Sequence, residues 1–188
     1  MTVSALDART ALIVIDLQRG TIGSRPMAHP AEDVIARATE LAAAFRQHRL
    51  PVVLVNHAGQ PPGRTQYSPG GGGDWPPELT ELVPGLGTEA SDLRITKHSL
   101  SPFVSTDLDA QLRKLGVTQV VLAGVATSYG VESAARQAYD LGYNVVVAAD
   151  AVTDPTAEGH ANSLGRVIPV VGQTGTASEI ISLLAARA

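Results

Sequence analysis

Four runs in this chain are apolar through their middle instead of at every second residue: ALIVID at 11–16, PVVLVN at 51–56, QVVLA at 119–123 and YNVVVAA at 143–149. A strand with one wet face alternates apolar and polar side chains, so runs like these read as strands covered on both faces. Two covered faces require helices on each side of a sheet, and the stretches between the runs supply them. Residues 30–49 put Val34, Ala38, Leu41, Ala42 and Phe45 on one helical side. Residues 107–115 align Leu108, Leu112 and Leu115, and residues 128–141 carry an Ala-rich side closed by Gly142. Strands alternate with helices to the C-terminus. The pattern predicts an α/β fold of three α/β/α layers around a mostly parallel sheet, with residues 1–188 forming one domain.

Weaker signals complete the outline. LRIT at 93–96 reads as a short third strand, 155–164 as a short helix, 167–171 as a weak strand and 177–186 as a closing helix. Between residues 59 and 77 the chain is too rich in Gly and Pro for a regular element, so a long surface loop is expected there, a lid or a connector.

Composition removes several function classes. The net charge is -4 and no block of Lys and Arg exists, so neither nucleic acid nor an anionic membrane is expected as a partner. There are no cysteines, hence no disulfide, no thiolate metal site and no thiol nucleophile. A reducing cytoplasm suits such a chain, and the apolar run at 11–15 is far too short to span a bilayer. The five histidines, His29, His48, His57, His98 and His160, show no metal-ligand spacing, so no metal is expected. Neither G-x-G-x-x-G nor a phosphate loop with G-K-[ST] occurs, which argues against a nucleotide cofactor, and G-x-S-x-G is missing as well. No cofactor is expected.

In parallel sheets ligands gather beyond the carboxyl ends of the strands. That rule selects Asp16, Asn56 with His57, Lys97, the stretch GVATSYG at 124–130, and Asp150. A carboxylate ending an apolar strand is costly to bury unless it is paired or its pKa is raised. Asp16 is therefore either a turn residue binding backbone amides or a general acid and base, with Lys97 as its counter-charge. Ser128 reads as a helix N-cap and Ser133 as a first-turn residue. The amides that open this helix point to the same mouth and would steady a developing negative charge. His57 would join the site from the second strand. Phe103 fits a pocket wall and a core position equally well.

Taken together, ALIVIDLQ at the first strand, ITKHSLSPF around Lys97, and GVATSYGVESAARQAYDLGYNVVVAADAVTD resemble the isochorismatase-like hydrolases. The motifs follow that family's order over nearly the full chain. The resemblance implies a Rossmann-like sheet of about six strands, a cis peptide at Val125–Ala126, a small-molecule substrate and a homo-oligomer, dimer or higher. In the amidohydrolase branch a triad of Asp, Lys and Cys does the chemistry. Asp16 and Lys97 match its first two members, and the cysteine position falls on Gly130. The isochorismatase branch carries glycine there and cleaves a vinyl ether: its Asp protonates the enol carbon and water attacks the oxocarbenium ion.

The resemblance thus implies Asp16, Lys97 and Gly130 as the catalytic set, with Ala126, Thr127, Tyr129, Phe103, His57 and Arg64 around the substrate. Isochorismatases carry an aromatic residue and a His where this chain has Ala126 and Ser128, and a Gln near Asn56 and His57. Their substrate-gripping Arg has its nearest candidate in Arg64. The identity of the substrate stays open. Three readings follow: a hydrolase working without a covalent intermediate, an amide hydrolase that has lost its cysteine at Gly130, and a binding protein that keeps the pocket without turnover.

Overall fold

The computed structural model describes residues 2–23 and 26–187. Strand β1 (Thr10–Ile15) is sealed along its whole length. Its alternate side chains serve two cores: Ala11, Ile13 and Ile15 face one hydrophobic cluster, Leu12 and Val14 the other. A four-residue helix, α1 (Arg19–Ile22), precedes the long α2 (Ala31–Gln47), whose Val34, Ala38, Leu41 and Phe45 cover the second cluster. Strand β2 (Val52–His57) then pairs in parallel with β1.

A small antiparallel pair follows, β3 (Gly59–Gln60) with β4 (Gly73–Asp74), then α3 (Pro77–Thr80) and strand β5 (Leu93–Lys97). Helix α4 (Leu108–Lys114) crosses back over the first cluster to β6 (Gln119–Val125). A π turn, Thr127–Val131, runs directly into α5 (Glu132–Asp140) and on to β7 (Asn144–Thr153). The chain ends through α6 (Ala157–Asn162), a second π turn, α7 (Ile168–Val171), β8 (Gln173–Gly175) and α8 (Ala177–Ala185). Among the described residues no helix is long and apolar enough to cross a membrane.

The sheet has six strands in the order β5-β2-β1-β6-β7-β8, every neighbouring pair parallel, as the sequence predicts. From β1 the chain winds outward to β2 and β5, then returns to β1's other edge for β6, β7 and β8. The direction of winding therefore changes between β1 and β6, and a crevice opens there beyond the strand ends. Gly124 lets the two strands close up at that point. It has φ +111, and a Cβ on it would lie 2.0 Å from the Ile15 carbonyl oxygen, a distance no side chain tolerates.

Four expectations need correcting. Residues 167–171 are helical, not a strand: Pro169 sits in the first turn of α7, and Ile168 and Val171 share one buried side at helical spacing. The sixth strand is the short β8 just beyond. The loop at 59–77 contains the β3–β4 pair, which four consecutive glycines with positive φ, Gly70 to Gly73, help to turn. Ser128 is not an N-cap; Ala126 holds that position, and the Ser128 amide donates to Asp154 Oδ2 at 2.7 Å. Asp150 does not end its strand, because β7 runs on to Thr153; its carboxylate instead accepts the Ala177 amide at 2.7 Å, at the start of α8.

Candidate active site

Three adjacent strands deliver three polar groups to the crevice: Asp16 just after β1, His57 at the end of β2 and Lys97 at the end of β5. The backbone of Asp16 is left-handed, φ +53, which is uncommon for a residue with a side chain, though Asp tolerates it better than most. That turn is held by the Asp16 amide donating to the Val55 carbonyl at 3.0 Å and by the Thr21 hydroxyl donating to the Asp16 carbonyl. The side chain is thereby aimed under the sheet edge, where Lys97 Nζ stands 2.7 Å from Asp16 Oδ2. Lys97 also donates to the carbonyls of Ser99 at 3.1 Å and Leu100 at 2.9 Å. An ammonium has three donors, and these contacts engage all of them.

Burial of this pair sets its protonation. Loss of hydration pushes the Asp16 carboxyl up from its ordinary 3.8 to about 6, and the neighbouring ammonium offsets only part of the rise. Oδ1 of the same carboxylate is buried with no hydrogen-bond partner. The same holds for Nε2 of His57. His57 is pushed down to about 4, first by burial and then by the Lys97 charge, so it is neutral at physiological pH. Its ring leans on Trp75, centroids 4.8 Å apart. Two buried polar atoms without partners thus belong to residues of one crevice.

That cavity has a volume of about 720 Å³. Asp16, His57, Lys97, Ala126, Tyr129 and Gly130 all line it, as do Arg19, Thr21, Met27, Trp75, Leu100 and Pro155. Gly130 stands beside the carboxylate. A Cβ there would meet Ile15 Cγ2 at 3.1 Å and Asp16 Oδ2 at 3.4 Å. The Val125–Ala126 peptide is cis, as the family resemblance implied. In the turn that follows, the Ser128 amide is engaged by Asp154, and those of Tyr129 and Val131 both donate to the Ala126 carbonyl.

The remaining three residues expected at the substrate lie elsewhere. Thr127 is fully buried behind the cavity wall, its hydroxyl 2.9 Å from His160 Nδ1; His160 Nε2 in turn meets His29 Nε2 at 3.2 Å. Thr127 supports the turn without lining the cavity. Phe103 packs in the core, its ring 6.0 Å from that of Tyr143, so of its two expected places the core is the one occupied. Arg64 is exposed in the β3–β4 loop, away from the cavity.

Two lining or supporting residues escaped the sequence reading. Gln18 is fully buried and clips β1 to β2: its Oε1 accepts the His57 amide at 2.6 Å, and its Nε2 donates to the carbonyls of His57 at 2.8 Å and Leu79 at 2.9 Å. Arg19, one residue on, reaches the cavity from α1, a helix too short to show any periodicity. The only signal for either was adjacency to ALIVID. Among the described residues no group of three or more His, Asp or Glu side chains could hold a metal ion.

Comparison with known proteins gives a consistent result. The isochorismatase domain matches residues 10–179. The chain is 37% identical over 180 residues to the isochorismatase family protein YecD of Escherichia coli O157:H7, covering 93% of this chain and 96% of that one. It is 36% identical over 179 residues to YwoC of Bacillus subtilis, covering 92% and 93%. The fold superposes on an isochorismatase family protein from Burkholderia thailandensis with a TM-score of 0.91 at 38% identity, over 96% of this chain and 98% of that one.

Proposed function

The chain belongs to the isochorismatase family and is a hydrolase, and from that premise we propose that it hydrolyses a small metabolite of the vinyl-ether type without a covalent intermediate. Asp16 is the general acid and base, and Lys97 fixes its position and charge. The observation that carries the reading is Gly130 beside the buried Asp16–Lys97 pair: that position, against the carboxylate, offers no nucleophile. Among the described residues Thr21 carries the only aliphatic hydroxyl that lines the cavity. The chain has no cysteine, and the Thr21 hydroxyl donates its proton to the Asp16 carbonyl, with the Gln18 carbonyl at 3.0 Å.

The steps follow from the protonation states. With a pKa of about 6, roughly a tenth of Asp16 carries a proton at pH 7, enough to supply an acid without acidifying the medium. Asp16 gives that proton to the enol carbon, which leaves an oxocarbenium ion beside a carboxylate. Water adds to the cation and gives one proton back to Asp16, and the hemiketal then collapses to a ketone and an alcohol as its hydroxyl proton passes to the leaving oxygen. The amides of Ala126 and Gly130, residues that line the cavity, steady charge on the leaving oxygen. The reading carries with it a cytoplasmic homo-oligomer acting on a small molecule.

The amide-hydrolase reading keeps one observation in its favour. A side chain at position 130 would start 3.4 Å from Asp16 Oδ2, where a thiol would find a base. A panel of enol-ether acids, isochorismate included, set against primary amides and carbamoyl compounds separates the two. The proposal expects turnover among the enol ethers; turnover confined to amides sinks it.

A further inference from the structure

We propose that His160, which does not line the cavity, is a positioning residue for the turn that does: acting through the Thr127 hydroxyl, it holds the Ala126 and Gly130 backbone against Asp16. The proposal deepens the proposed function and rests on it in taking those two amides as the groups that steady developing charge. The turn shows the cavity one side. Ala126, Tyr129 and Gly130 line it, whereas Thr127 is fully buried outside the lining. On that hidden side the Thr127 hydroxyl meets His160 Nδ1 at 2.9 Å, in place of a carbonyl of its own turn. Helix α6 comes close enough for this contact because a glycine precedes the histidine. A Cβ on Gly159 would lie 2.9 Å from Asp154 Oδ1 and 3.3 Å from Ser128 Oγ.

The imidazole is held at both ends. Its Nε2 stands 3.2 Å from His29 Nε2, the two rings edge to face. Two facing nitrogens share a single proton, so the rings are not both charged while the contact lasts. Burial, and next the charge of His29, push the His160 pKa down from 6.5, which leaves the ring neutral at physiological pH, with one N–H and one lone pair for its two partners. A buried polar chain with every member satisfied is rigid. The segment behind it is clamped in turn. The His29 amide donates to Thr153 Oγ1 at 2.8 Å, the Thr153 hydroxyl to the His29 carbonyl at 3.1 Å, and the Ala28 amide to the Asp154 carbonyl at 2.8 Å. A shift of the ring is therefore passed forward to the turn, not absorbed behind it.

Two substitutions separate the two ring nitrogens, since an Asn amide reaches the place of Nδ1 and a Gln amide that of Nε2. Amide hydrogen exchange is read at Tyr129 and Val131, which both donate to the Ala126 carbonyl. Exchange there should run roughly tenfold faster or more in His160→Gln and Thr127→Val, and stay within about threefold of wild type in His160→Asn and Thr127→Ser, with the β1 amides unchanged throughout. Turnover of isochorismate should follow the same order. In His160→Gln and Thr127→Val kcat should fall roughly tenfold or more at a KM within about threefold of wild type, because the leaving oxygen gains its charge only in the transition state. Equal exchange in His160→Asn and His160→Gln, faster exchange that extends to β1, or a loss carried by KM with kcat intact would each overturn the inference. Should the His160 variants not fold, Thr127→Val set beside Thr127→Ser decides alone. The exchange reading needs no substrate, so a wild type without enol-ether turnover counts against the proposed function alone. Enol-ether turnover with kcat indifferent to Thr127→Val counts against this inference alone.

Discussion

Replacing both members of the buried pair, Asp16→Asn together with Lys97→Met, should change how stability depends on pH. Asp16 titrates near 3.8 in an unfolded chain and about 6 in the fold. Between those values the native state holds a proton that the unfolded state has released, so wild-type stability falls as pH rises through the window and levels off above it. Each pH unit is worth about 1.4 kcal/mol. From pH 4.5 to 7.5 the double variant should therefore gain on wild type by about 2 kcal/mol, the part of the window above 4.5. Lost donors to Ser99 and Leu100 shift the comparison by a constant and do not affect its slope. Urea unfolding at a series of pH values reads the difference directly. A flat difference, or wild type gaining with pH, would mean that Lys97 holds Asp16 ionised throughout, and the acid role would go with it.

Further outcomes follow from single positions. Gly124→Ala puts a Cβ 2.0 Å from a backbone oxygen at φ +111 and should cost at least about 3 kcal/mol, seen as loss of soluble protein or a collapsed melting temperature. Gln18→Leu strands the His57 amide and two carbonyls; roughly 2 kcal/mol should be lost in urea titrations. Gly130→Ala meets only ordinary or slightly tight contacts, so its melt should stay close to wild type while turnover drops, because the methyl stands against Asp16 Oδ2. Turnover in wild type should be highest below pH 6 and fall about tenfold per pH unit above it, as the acid form of Asp16 is lost.

How much of this was legible beforehand depended on how local the determinants were. The sheet was legible because doubly covered strands leave continuous apolar runs, and β1, β2, β6 and β7 all do. Edge strand β8 was not, since three residues, Gln173 to Gly175, carry no pattern, while Val-rich 167–171 beside it mimicked one. That Asp16, His57 and Lys97 meet at one crevice was legible because strand ends are predictable from strands. Arg19 and Gln18 were missed because their roles come from contacts across the sheet, with Glu81, His57 and Leu79, that spacing does not encode. Arg64 stands outside the cavity lining for the converse reason: a loop's composition says that it is a loop, not where its tip points.

Turnover by Asp16→Asn, with the products followed in heavy water, tests the central claim most directly. Wild type should consume an enol-ether acid and place one deuterium in the methyl group of the ketone product. The variant should melt as a folded protein and turn over roughly a hundred- to ten-thousandfold more slowly. An Asp16→Asn protein that keeps its rate, or a product without solvent deuterium at that carbon, would contradict it.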